Sequence, residues 1–147
     1  MNSLPDYDSS SLLDTPRLMA VRQQNLPMQE YTLSFGTFQF YSDYVTSSIN
    51  EGVDLDEKKF LQFYALCHEV FQGRRFSVIE LRDHPFSIDP LFYMRPGDTL
   101  KNVKSHSMVV DPNSRMKLRV YESNLIKHCP FGTFYSLNDA VSWAKSI

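Results

Sequence analysis

Residues Asp54–Leu81 read DLDEKKFLQFYALCHEVFQGRRFSVIEL, and two different periods meet inside them. Phe60, Phe63, Tyr64, Cys67, Val70 and Phe71 recur at three- and four-residue intervals, which places them on one face of a helix. Asp54 followed by Glu57 has the spacing of a capping box, and Gly73 is a helix stop. Arg74–Leu81 then carries Phe76, Val78, Ile79 and Leu81 without helical spacing. That run predicts a strand entering the interior. A long amphipathic helix feeding straight into a buried strand is the repeating step of α/β chains.

The same reading extends in both directions. Tyr31–Phe40 predicts one strand, with Tyr31, Leu33, Phe35 and Thr37 alternating against Thr32, Ser34, Gly36 and Phe38. Tyr41-Ser42-Asp43 suits a turn, and Tyr44–Ile49 is a second β-rich run, so the two predict an antiparallel hairpin. After Leu81, the polar stretch Arg82-Asp83-His84-Pro85-Phe86-Ser87-Ile88 reads as a loop. Asp89-Pro90 then signals a short helix over Leu91–Met94, stopped by Pro96-Gly97-Asp98. Val103–Val110 predicts a strand. Asp111-Pro112-Asn113 opens a helix expected to run to about Lys127. Phe131–Tyr135 predicts the last strand. Ser136 or Asn138 caps a final helix, with Ala140, Val141, Ala144 and Ile147 on one face.

The expected order is therefore β-β-α-β-α-β-α-β-α. Its fold class is α/β (or α+β): a mixed, mainly parallel sheet flanked by helices. Residues 1–27 differ, with the run Ser9-Ser10-Ser11 and prolines at 5, 16 and 27. They read as a mobile or docking arm, and residues 28–147 as the domain.

Composition bounds the function. The 147 residues suit one domain, and 42% hydrophobic with 14% aromatic residues supplies a core. A net charge of −2 argues against a nucleic-acid partner, which needs a basic face. No apolar run reaches the roughly 18 residues of a membrane span, and no leader is evident, so the expected location is the cytoplasm. Of the two cysteines, Cys67 falls on the apolar helix stripe and reads as core. Cys129 follows His128, but neighbours in an extended strand point to opposite faces. The four histidines share no metal-ligand spacing, and each reads as solvated or locally bonded. No phosphate loop or hydrolase motif is present.

The chain resembles the STAS-like family, the architecture of anti-sigma-factor antagonists, and is most similar to a group of small bacterial STAS-like proteins of unknown function. The resemblance rests on Glu51-Gly52-Val53 before the first helix, and on Arg82, Ser87-Ile88-Asp89-Pro90 and Tyr93 after the third strand. Near the end it rests on Phe131, Phe134 and Ala140 through Trp143. It covers Tyr31–Ile147. It implies the STAS-like fold and a regulatory role. Antagonists of that family carry an Asp-Ser-Ser-Gly-like turn with a phosphorylatable hydroxyl. Phe86-Ser87-Ile88-Asp89-Pro90 stands in its place here, so the phosphorylation switch does not carry over. CRAL-TRIO lipid-transfer domains share the topology, and this implies the alternative of a small-molecule or lipid-binding module.

Ligands of open α/β sheets favour the carboxyl ends of the strands. The loop leaving the third strand is therefore the candidate site, with Arg82, His84, Phe86, Ser87, Asp89 and Tyr93 as its members. Two readings stay open. In one, these residues meet a protein partner or a small ligand, with exposed aromatics such as Phe86 or Phe92 as anchors; a homodimer would instead use sheet edges and the N-terminal arm. In the other, Asp89 caps a helix, Arg82 pairs with a carboxylate and Tyr93 packs on the core. No metal, cofactor or catalytic residue is expected.

Overall fold

The computed structural model describes residues 27–89, 101–113 and 129–147. Six strands form one sheet in the order β1-β2-β3-β5-β7-β8. They are β1 (Gln29–Leu33), β2 (Gly36–Phe40), β3 (Tyr44–Ile49), β5 (Phe76–Leu81), β7 (Val103–Val109) and β8 (Phe131–Phe134). β1, β2 and β3 form an antiparallel meander, while β3, β5, β7 and β8 run parallel. The fold is thus mixed α/β with a mainly parallel sheet. Two further strands of two residues each, β4 (Asp54–Leu55) and β6 (Ser87–Ile88), pair in parallel as a separate ribbon.

Helix α1 (Glu57–Phe71) takes the predicted place between β3 and β5. It buries Phe60, Phe63, Tyr64, Cys67 and Phe71 against one sheet face. Phe63 packs on Phe38 of β2 with ring centroids 5.0 Å apart, and Phe71 stacks on Phe76 of β5 at 4.5 Å. Burying aromatic rings of this size is the largest favourable contribution such a layer makes. Helix α2 (Leu137–Lys145) packs on β5, β7 and β8 through buried Ala140 and Ala144, and Trp143 meets Phe134 at 5.4 Å. Ser136, one of the two expected caps, accepts the Asp139 amide.

Two expectations are corrected. Residues 31–40 are not one strand but the hairpin β1–β2, turning at Ser34-Phe35. The inward alternation changes phase at that turn, because Phe35, Phe38 and Phe40 are all buried. The cap of α1 is Asp56 rather than Asp54: its Oδ1 accepts the Lys59 amide at 3.1 Å. Asp54 is used instead in β4, before the helix begins. The helix expected at 91–94, the helix expected at 113–127 apart from its first residue, and the arm at 1–27 apart from its last residue lie outside the described residues.

Candidate functional site

Parallel strands place the carboxyl ends of β3, β5, β7 and β8 at one end of the sheet, and the chain leaves β5 there. Arg82 is its first residue beyond the strand. Its amide donates to Val109 O at 2.9 Å, which holds the exit against the end of β7. The chain then swings out through Asp83, His84 and Pro85, all exposed. It returns as β6. Pro85 O accepts the Gly52 amide at 2.9 Å, while the Ser87 and Asp89 amides donate to Val53 O and Leu55 O at 3.0 Å. Two side-chain bonds brace the same bend. Ser48 Oγ donates to Asp83 Oδ2 at 3.0 Å, and Ser87 Oγ donates to Asp54 Oδ1 at 2.7 Å.

Beneath the bend lies a buried polar network. Glu80 Oε1 accepts from Arg82 Nε at 3.2 Å, and Glu80 Oε2 lies 3.4 Å from His106 Nε2. The side chains are only 8%, 5% and 2% exposed for Glu80, Arg82 and His106 respectively. A carboxylate this deep is held by its partners, since an unpaired buried charge is very costly. The Arg82 guanidinium carbon sits 4.6 Å from the centre of the Phe86 ring, and His106 stacks on Phe131 at 5.8 Å. The register explains the arrangement. Val78 pairs with His106, and parallel partners share a face, so Val78, Glu80 and His106 all point beneath α1.

That face encloses a cavity of about 20 Å³, lined among others by Phe38, Phe63, Tyr64, Ser47, Glu80 and His106. Burial pushes the Tyr64 phenol well above its ordinary pKa, with the neighbouring Cys67, Glu80 and Cys129 adding to the shift. Burial likewise raises the Cys67 thiol, and pushes Cys129 up to about 11. Both thiols are therefore poor nucleophiles at neutral pH. Among the described residues, no three His, Cys, Asp or Glu side chains come together to hold a metal ion, and no helix is long and apolar enough to cross a membrane.

Of the residues singled out from sequence, Arg82, His84, Phe86, Ser87 and Asp89 share one bend, and Tyr93 lies outside the described residues. They are not equivalent. His84 and Ser87 face solvent. Phe86 is half-buried, packed on the core beneath α1 and under the Arg82 guanidinium, so it is not an exposed anchor. Arg82 pairs with a carboxylate, as the second reading expects. Glu80 and His106 were not singled out. One signal pointed to Glu80: a charge inside the apolar run FSVIEL, two residues from Arg82 and hence on the same face. His106 gave none, because a histidine among serines in an alternating strand reads as solvated.

Compared with family models, with curated proteins and with solved structures, the chain matches none of them.

Proposed function

We propose that this is a non-enzymatic interaction domain of STAS-like architecture, and that the Asp83-His84-Pro85 bend is the surface a protein partner reads. One observation carries the reading. Three consecutive residues stand exposed at the carboxyl end of a parallel sheet, fixed on both sides by backbone bonds to β7 and to residues 52–55. A polar bend held in one conformation binds at low entropic cost, which is what a recognition loop requires.

Two features support this reading over its rivals. The aromatic cavity beneath α1 measures about 20 Å³, enough for roughly one water molecule and far too small for a lipid. The ionisable groups around it are engaged with one another and closed off from solvent, whereas a general base must reach a substrate proton.

The test is affinity capture from the native cell, with the wild type beside His84→Glu and His84→Ala. Both variants alter an exposed side chain and leave the Ser48–Asp83 brace in place. The reading expects a partner retained by the wild type to be lost from both variants while the melting temperature stays within about 2 °C, as surface substitutions do. Identical captured sets from all three proteins would contradict it.

A further inference from the structure

We infer that Arg82 is the positioning residue of the bend, acting as a planar strut between Glu80 in the sheet and Phe86 in the loop. The consequence for partner binding rests on the recognition reading above. The strut itself does not.

The geometry builds from three facts. Arg82 opens an exposed segment, yet its own side chain is only 5% exposed. Its Nε is tied to Glu80 Oε1 at 3.2 Å, and Glu80 stands in β5 one residue before the strand ends. Its guanidinium carbon lies over the Phe86 ring, 4.6 Å from the ring centre, and Phe86 belongs to the returning arm of the bend and packs on the core beneath α1. One side chain therefore joins the exit of the bend to its return.

The need for such a strut follows from the ribbon it supports. β4 and β6 are two residues long, and a ladder that short is marginal alone in water. Its bonds from Ser87 to Val53 and from Asp89 to Leu55 close only if the returning arm is already held near residues 52–55. The guanidinium supplies that hold because it is planar and can bond in its plane while stacking on its face. A lysine ammonium has no such face. Arg82→Lys therefore keeps the charge and loses the strut.

The experiment follows amide exchange by NMR in the full chain. The reporters are the Gly52, Ser87 and Asp89 amides, which close the bend, with Ile79 and Met108 in β5 and β7 as the reference. The variants are Arg82→Lys, Phe86→Leu and the double variant E80Q/R82M. The double variant removes both buried charges together, so the question stays answerable if a single charge change unfolds the chain. We expect reporter exchange at least about tenfold faster in each folded variant, with the reference amides within about twofold of wild type. Unchanged reporters in every folded variant, or equal acceleration of reporters and reference, would overturn the assignment. Faster reporters with undiminished partner capture would keep the strut and remove the recognition reading. Unchanged reporters with lost capture would do the reverse.

Discussion

The hydroxyl of Ser87 donates to Asp54 Oδ1 at 2.7 Å, and the two residues stand directly opposite one another in the register of the β4–β6 ribbon. A loop residue after β5 is thereby tied to the chain two residues before the cap of α1. An aspartate at 87 loses the bond and sets two carboxylates face to face. It should cost about 0.5–1.5 kcal/mol for the bond, plus a repulsion that shrinks as salt rises. Urea denaturation at low and high salt measures both parts. Ser87→Ala should show the first without the salt dependence. A Ser87→Asp protein as stable as wild type at low salt would refute the pairing.

Glu80 is expected to be the most sensitive polar position among the described residues. Glu80→Leu removes the carboxylate between Arg82 and His106 and leaves a buried guanidinium without that partner. Breaking a buried pair from one side costs about 3–5 kcal/mol. Chemical denaturation should show a loss of that order, with E80Q/R82M less damaging because no charge is left behind. A loss below about 1 kcal/mol in Glu80→Leu would mean that the network is not closed from water.

The cap of α1 has a pH signature. The Lys59 amide donating to Asp56 holds that carboxyl below its ordinary pKa. A carboxyl depressed in the folded state contributes stability that is complete above its unfolded pKa and is lost as pH falls through the folded one. Stability should therefore fall more steeply below about pH 4 in the wild type than in Asp56→Asn, whose amide caps without titrating. Thermal unfolding followed by circular dichroism across that range measures the difference, and equal acid slopes in the two proteins would contradict Asp56 as the cap.

Much of the fold was legible because the periods in Asp54–Leu81 and Val103–Val109 are strong. α1, β5, β7, β8 and α2 stand where the hydrophobic pattern places them. The β1–β2 turn was not legible. Ser34-Phe35 lacks the Asn-Gly or Asp-Gly signature of a two-residue hairpin, and Phe35 reads as one more strand residue. Its side chain is drawn into the core by tertiary packing instead. Asp54 has the capping-box spacing to Glu57, but its pairing with Ser87 in the β4–β6 ribbon keeps it ahead of the helix, and Asp56 caps instead. The candidate loop was legible from its place after a strand. The Glu80–His106 contact was not, because it depends on the register between β5 and β7.

The missed turn makes its own prediction. A Cβ on Gly36 would sit 2.6 Å from Ser48 O, a backbone atom of the paired strand. Nothing flexible can yield there. Gly36→Ala should destabilise by about 1–3 kcal/mol in urea titration, the scale of overpacking a close contact. A neutral Gly36→Ala would place β2 and β3 further apart than described.

The claim that the bend is read by a protein partner is tested most directly by site-specific photo-crosslinking in living cells. A photoreactive residue is placed at position 84 on the bend, or at position 58 on the exposed side of α1. The account predicts a discrete higher-mass adduct from position 84 and none from position 58. An adduct from position 58 with nothing from 84, or the same adduct from both, would contradict it.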